Sequence, residues 1–359
     1  MNRSRDKGQP TIPMPTKAPP LPPMALFALA ATLPLPLFAA GLAGGPWVWP
    51  GLFYMTAFTA LLDQVLSWVA PDAPEGAEFP AADPALIVLG LSHLAAMPVA
   101  VWAIAGDSGL AGWERAVLFA GFGLWCGQVS NPCAHELIHR GNRGMFRLGA
   151  AVYASLLFGH HASAHRLVHH RHAASRDDPN TARHGEGCYR FFLRAWTGSF
   201  RAGWLAEADR RMGIGLHPYA WYGVVSVLGL VAGFLVAGGA GVAVWVLLSL
   251  HAQSQLLLSD YVQHYGLMRA RLPDRRLEPV GDRHSWNAPH WFSAALMLNA
   301  PRHSDHHAHP SRPYPALRLP DADTAPHLPY ALPVCCLVAL APPLWRRMID
   351  PHLQRWRSP

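Results

Sequence analysis

The sequence HELIH at residues 135–139 stands directly after a long apolar run. Its two histidines are four residues apart, so a helix presents both imidazoles on one face, one turn apart. Two further clusters repeat a helical spacing, HRLVHH at 165–170 and RHSDHH at 302–307. Because neutral imidazole is a common ligand of zinc, copper, nickel and iron, the three clusters predict a site for more than one metal ion.

Single histidines carry a weaker signal than these clusters. His93 and His251 stand alone in apolar runs, and we interpret them as packing or hydrogen-bonding residues. His264 ends the last long apolar run, and by position alone it fits a ligand and a packing residue equally well. The HExxH pattern also occurs in zinc proteases, where Glu136 would be the general base. A zinc hydrolase needs only about three protein ligands, and the surplus of histidines here favours two metals.

The composition indicates an all-α membrane protein. Of 359 residues, 51% are hydrophobic and only 14% are charged, which is too few charges for a soluble protein of this size. The net charge of +7 does not predict nucleic-acid binding, because apolar runs separate the basic residues and no basic stripe with interleaved aromatics is present. The five cysteines form no C-x-x-C pair, so neither a zinc ribbon nor a fused rubredoxin-like iron site is expected.

Apolar runs of membrane-spanning length occur six times, which predicts a polytopic membrane protein with six transmembrane helices. The predicted spans are residues 24–43, 47–69, 85–105, 112–134, 219–237 and 241–262.

The remaining segments complete the predicted organisation. Residues 1–23 are polar, basic and proline-rich, and we expect a disordered cytoplasmic tail rather than a signal peptide. Residues 24–359 then form a single integral-membrane domain. The runs at 146–159 and 328–345 are apolar but short or proline-interrupted, so interfacial or buried segments are expected there. Residues 160–217 read as a long polar loop.

The distribution of lysine and arginine predicts the orientation. Neither residue occurs between Ala18 and Glu114, whereas the stretch 136–218 contains a dozen arginines. The positive-inside rule places that stretch in the cytoplasm. With six spans, all three histidine clusters then lie on the cytoplasmic side of a bacterial-type inner membrane, together with both chain termini.

Between about Asn131 and Leu317 the motifs closely resemble those of the membrane-bound non-haem di-iron alkane hydroxylases, the alkane 1-monooxygenases. The matching stretches are HELIH at 135–139, HRLVHH at 165–170 with DDP at 177–179, QHYGL at 263–267, HSWN at 284–287 and RHSDHHAHPSRPY at 302–314.

The resemblance implies a two-iron centre that uses O2 to hydroxylate the terminal methyl group of an alkane or a similar hydrophobic substrate. It implies an external electron donor, rubredoxin with its reductase, and the chain itself has no C-x-x-C pair or dinucleotide-binding glycine pattern. Glu136 and Asp305 are the candidate catalytic carboxylates. The iron ligands that it implies are His135, His139, His165, His169, His170, His264, His303, His306 and His307.

Some features leave alternatives open. Ala164 and Val168 replace a Glu and a Gly of the family's second cluster, and Gln263 stands where many members have Glu. Two other enzyme classes have similar histidine clusters. One is an aromatic-methyl or alkyl side-chain monooxygenase, and the other is a membrane fatty-acyl desaturase or hydroxylase. A metal transporter ranks last, because it would place its ligands at mid-membrane. In the second cluster, His160, His161 and His172 are extra candidate ligands.

Overall fold

A computed structural model of the protein describes residues 21–66 and 68–356. Most of the predicted tail therefore lies outside the described residues. The described part of the chain consists of helices and connecting segments and contains no β-strand, so the all-α prediction is confirmed. Its two β-bridges, Arg271 with Leu277 and Asn287 with His327, are isolated.

The described residues contain sixteen α-helices, which are numbered in chain order. They are α1 Pro23–Thr32, α2 Pro34–Gly41, α3 Trp49–Phe53, α4 Thr59–Val65, α5 Ala82–Ala105, α6 Gly112–Trp125, α7 Asn131–His139, α8 Arg143–Ser155, α9 His161–Ala164, α10 His170–His172, α11 Cys188–Arg211, α12 Pro218–His264, α13 Trp291–Leu296, α14 His303–Ala308, α15 Leu332–Ala339 and α16 Pro342–Leu353. Three π-helical segments also occur, at Tyr54–Phe58, Cys126–Ser130 and His165–His169.

Helical structure covers all six of the apolar runs. The first run is divided at Leu33, because Pro34 starts a new helix, and the last two runs form α12. Within α12 the backbone leaves the helical region at Ala237 and Gly238, and the two helices on either side of this break pack against each other, with Gly229 and Gly233 beside Trp245. By length and composition, Pro23–Gly41, Ala82–Ala105 and Pro218–His264 are each able to cross a membrane. The chain is thus a membrane protein.

The prediction of a long polar loop over residues 160–217 is wrong, because this stretch contains α9, α10 and the 24-residue α11. One side of α11 is buried at four-residue intervals through Ala195, Ser199 and Gly203. The opposite side leaves Leu193 and Trp204 exposed. A helix with one apolar exposed side and many arginines is typical of a helix that lies at a membrane surface.

The short apolar segments behave as expected. Residues 146–159 fall mostly within α8 and its buried C-terminal turn. The 328–345 run is divided between α15 and the start of α16. Since α15 has eight residues, it is about 12 Å long and too short to span a bilayer.

Two buried charged side chains, Asp63 and Arg302, tie the first part of the chain to the segments at and just before the third histidine cluster. The Asp63 carboxylate at the end of α4 accepts hydrogen bonds from the backbone N–H groups of Phe292 (2.9 Å) and Ser293 (3.3 Å), and so caps α13. The buried Arg302 guanidinium, which precedes α14, donates to Asp72 (2.6 Å). These contacts fix the segment that carries His303 against the first half of the chain.

Candidate metal centre

The structure brings nine histidines together into two groups, and these are the nine candidates from the sequence. In each group the side chains offer ligand atoms that all lie within 4.8 Å of one another. The first group is His135, His139, His165, His170 and His306, and the second is His169, His264, His303 and His307. The ends of α7 and α12, the segment from α9 to α10, and α14 supply them.

The second histidine cluster is divided by a π-helical turn at His165–His169. We expected His165 and His169, four residues apart, to share a face. Instead His165 pairs with His170, five residues on, with their Nε2 atoms 3.0 Å apart, and His169 points to the second group. A π-turn closes after about five residues, so it aligns positions i and i+5. The regular helices α7 and α14 keep the i, i+4 pairs His135–His139 and His303–His307 together.

The ring nitrogens converge in a way that suits cations. His170 Nε2 lies 3.0 Å from His165 Nε2 and 3.1 Å from His306 Nε2. His303 Nε2 lies 2.9 Å from His264 Nε2 and 3.1 Å from His307 Nε2. A neutral imidazole has one N–H. The Nε2 atom of His170 or of His303 therefore cannot donate a hydrogen bond to both of the Nε2 atoms beside it. Shared coordination of a metal ion satisfies all of them, and the residues present fit two such ions.

Several members of the set have no other partner for their buried nitrogens. Within the described residues, the Nε2 atoms of His135, His139 and His169 are buried and accept or donate no hydrogen bond. Leaving a buried polar atom unpaired costs free energy, and metal ligation removes that cost. This observation supports a metal-binding role independently of the sequence spacing.

Burial holds most of these imidazoles in the form that ligates metal. It lowers the pKa of His165, His170 and His306 well below the ordinary histidine value, with further lowering from neighbouring histidines. The pKa values of His303 and His307 are lowered for the same reason. These side chains are therefore neutral near pH 7, with a lone pair available for a cation.

Asp178 orients one ligand candidate. Burial alone would lower the pKa of His169, but the adjacent Asp178 carboxylate outweighs burial and raises it. A carboxylate only accepts, so His169 donates its Nδ1–H to Asp178 Oδ2 (2.9 Å), which leaves Nε2 for the metal. The same carboxylate accepts from the Thr181 hydroxyl (2.7 Å) and from the Asn180 backbone N–H (3.0 Å). Asp178 therefore stabilises the turn that follows it and also orients the His169 ring.

Neither of the two predicted catalytic carboxylates contacts a metal-facing nitrogen. Glu136 accepts hydrogen bonds from Arg140 (3.2 Å) and from the Tyr314 backbone N–H (3.2 Å). Asp305 pairs with Arg312, and it accepts from the Arg318 backbone N–H (2.8 Å). These contacts fasten α7 and α14 to the segment that follows α14. A catalytic role of Glu136 and Asp305 stays a prediction.

The extra histidines lie outside both groups. The His160 ring packs edge-on against Phe158, with centroids 4.6 Å apart. The His161 ring stacks on Phe158 with centroids 5.2 Å apart, next to the His165 ring. The partly exposed His172 also stays apart from the nine. The HSWN motif has a supporting role, since Asn287 Oδ1 accepts from the backbone N–H (3.1 Å) and hydroxyl (2.9 Å) of Ser304 in α14.

A mostly apolar cavity of about 310 Å³ opens at the histidines, and its wall includes His135, His165 and His303. The cavity follows one face of α12 and the facing side of α6 and α7. The buried carboxylate of Asp260 also lines it and accepts from Asn180 Nδ2 (2.6 Å). Sequence analysis missed Asp260, although its position one helical turn before His264 indicates the same face.

Comparison with known proteins places these features in a family. The fatty acid desaturase family model matches residues 111–335, which is well over half of the chain and includes all nine histidines. The alkane 1-monooxygenase of Pseudomonas putida is 33% identical over 272 residues, which cover 74% of this chain and 67% of that protein. The chain belongs to the alkane 1-monooxygenase family.

Other relatives of this alkane 1-monooxygenase family member extend the similarity. Alkane 1-monooxygenase 2 of Pseudomonas aeruginosa is 29% identical over 331 residues, covering 87% of this chain and 86% of that protein. The xylene/toluene monooxygenase hydroxylase component of Pseudomonas putida is 29% identical over 235 residues, covering 63% of this chain and 61% of that protein. The family resemblance seen in the motifs is thus confirmed over most of the chain.

Proposed function

We propose that this protein is an oxidoreductase that hydroxylates the terminal methyl group of an alkane or a similar hydrophobic substrate, with O2 as co-substrate, at two irons held by the nine histidines. The reaction is R–CH3 + O2 + 2 e⁻ + 2 H⁺ → R–CH2OH + H2O. The observation that carries the proposal is the pair of histidine groups, one buried and one partly buried, at the end of an apolar cavity. Membership of the alkane 1-monooxygenase family supports it.

The metal class follows from the chemistry of the substrate. An unactivated C–H bond has no acidic or basic group to exploit, so a redox metal with O2 must supply the oxidant, which zinc cannot do. The chain contributes the rest. Its neutral imidazoles hold the metals, Asp178 keeps a proton on His169 Nδ1, and the apolar wall binds the hydrocarbon and excludes water.

In this proposal electrons come from a separate protein, because the sequence has no C-x-x-C pair for a rubredoxin-type iron site and no dinucleotide-binding glycine motif. We propose a rubredoxin with its reductase as the donor. Exposed arginines beside the histidine centre, including Arg143 and Arg166, give this end of the molecule a positive surface that suits an acidic donor.

The second candidate function is hydroxylation of an aromatic methyl group. The similarity to the xylene/toluene monooxygenase component favours it, and the same cavity and metal groups would serve. Product analysis on matched alkanes, xylenes and fatty-acyl chains separates this function from alkane hydroxylation and from desaturation, because only hydroxylation adds oxygen to the product.

Metal content tests the proposal directly. We expect the protein purified from iron-replete cells to carry about two irons per chain, because nine imidazoles supply at least four ligands to each of two ions. Iron is measured by inductively coupled plasma mass spectrometry, and O2-dependent alkanol formation is measured with a reconstituted donor system. One tightly bound zinc per chain without iron would contradict the oxygenase and favour the hydrolase.

The full topology is part of the proposal. We infer six spans in one membrane domain over residues 24–359, in a bacterial-type inner membrane, with the histidine centre on the cytoplasmic side. Reporter fusions after Gly45, Asp107 and Gly239 are expected to report the periplasm, and fusions after Arg211 and Arg355 the cytoplasm. A cytoplasmic signal after Asp107 would contradict the six-span topology.

A further inference from the structure

The cavity wall includes a polar row that an alkane does not need. Gln255 and His251 are four residues apart on the cavity side of α12, and Gln128 lies between α6 and α7 on the facing side. At about 1.5 Å per residue, Gln128 lies about 10 Å along its helix from His135. By the same rise, Gln255 lies about 13 Å from His264. The two glutamines therefore stand two to three helical turns away from the histidine centre, and His251, one turn further along α12, lies about 20 Å from His264.

Two glycines make room for the polar side chains. A Cβ atom on Gly127 would lie 2.1 Å from the Gln255 amide carbon, and a Cβ on Gly123 would lie 2.2 Å from His251 Nδ1. Real Cβ atoms do not approach this closely, so any larger residue would displace the polar groups. The spacing of the glycines matches that of the residues they accommodate, since both pairs are four residues apart.

The polar atoms of the row are incompletely satisfied. Gln255 Nε2 donates to the Gly123 carbonyl oxygen (2.8 Å), which identifies its other amide atom as the oxygen. Within the described residues, Oε1 of Gln255, Oε1 of Gln128 and Nδ1 of His251 are buried without a hydrogen-bond partner. A hydrocarbon cannot pair with them, and unpaired polar groups in a membrane interior are costly. A ligand hydroxyl has one donor, so it can pair with one of these atoms and remove the cost for that atom.

We propose that Gln128 and Gln255, with His251 about one turn beyond them, select a substrate whose hydrocarbon chain carries a hydroxyl group, roughly 10–13 Å from the methyl group at the histidine centre. This inference rests on the proposed function. The reaction is HO–(CH2)n–CH3 + O2 + 2 e⁻ + 2 H⁺ → HO–(CH2)n–CH2OH + H2O, with electrons from the same external donor protein. The preferred substrate is thus a long-chain primary alcohol, and the product is a diol.

The test compares 1-decanol, n-decane and the methyl ether of decanol, which keeps the oxygen but cannot donate a hydrogen bond. With iron-loaded protein in lipid nanodiscs, kcat/KM for the alcohol is expected to exceed that for the other two by about tenfold, the effect of one hydrogen bond to a buried acceptor. Gln128→Leu and Gln255→Leu are expected to lower the ratio of kcat/KM for the alcohol to that for decane to about one, through a higher KM for the alcohol. Gln64→Leu, at an exposed position on α4, is the matched control.

A second readout separates this inference from the proposed function. Saturable binding of labelled decanol, competed by unlabelled decanol but not by its methyl ether, is measured on the same samples without turnover. If the wild type binds and hydroxylates all three compounds equally, the polar row is structural and the inference is overturned. If selective binding is retained but no compound is hydroxylated, the polar row is supported and the proposed function fails. Iron content near the wild-type value shows that each variant is folded.

Discussion

His165→Ala is expected to abolish hydroxylation and to remove metal from the protein. The His165 ring lies in the first histidine group, with Nε2 3.0 Å from the Nε2 of His170. The variant loses a direct ligand and opens the centre to water, so activity should fall by more than the 10–100-fold that is typical for a residue behind a ligand. Bound iron per chain and O2-dependent product formation are the two measurements.

His161→Ala and His172→Ala are the matched controls, since both remove an imidazole from the same segment that is not a member of either group. They are expected to retain both metals and measurable hydroxylation. The His161 ring packs against Phe158 and lines the cavity, so its loss changes substrate fit rather than metal content. Loss of iron from His161→Ala, with iron retained in His165→Ala, would show that the proposed ligand set is wrong in the second cluster.

Asp178→Asn is expected to reduce metal affinity and activity by about 10–100-fold. The Asp178 carboxylate is buried and accepts the Nδ1–H of His169 (2.9 Å), the Thr181 hydroxyl and the Asn180 backbone N–H. An amide keeps the shape but loses the negative charge, and its NH2 group can turn toward His169 and disturb the orientation of the ring. The measurement is iron retained against a graded series of chelator concentrations.

The neighbouring Asp177→Asn provides the control, because Asp177 is exposed and its nearest cationic group, on Arg271, is 3.9 Å away. This variant also replaces a negatively charged aspartate by a neutral asparagine, one residue earlier in the chain. It is expected to leave iron retention unchanged. Equal losses in the two variants would mean that the net charge of this surface, and not the bond to His169, determines metal binding.

Helix positions and candidate ligands could be predicted from the sequence because both depend on local patterns. Apolar runs of sufficient length indicated the helices, and clustered histidines indicated the metal-binding segments. The α11 helix was missed because its buried side consists of small residues such as Ala195 and Gly203, whose packing depends on partners elsewhere in the chain. Frequent arginines in the same stretch hid its apolar periodicity.

Which histidines belong together could not be predicted, because the spacing of His165, His169 and His170 is the same in an α-helix and in a π-turn. The direction of a carboxylate has a similar dependence on tertiary structure. Glu136 turns toward Arg140 and Tyr314, and the second of these is far away in sequence. His251 was interpreted as a packing residue because its neighbour in space, Gly123, lies on another helix.

Because of the π-turn, the number of residues between His165 and His170 also determines which histidines face the same group. An α-helix returns to the same face after about four residues, whereas a π-turn does so after about five. Deletion of Val168 would leave His165 and His170 four residues apart, and an ordinary α-helical turn would then bring both to one face. The segment can therefore lose a residue and still supply the pair, while an added residue has no regular helix to absorb it. When related sequences are aligned or redesigned at this point, a gap should be placed so that each histidine keeps its side of the helix, even where this aligns different residue types.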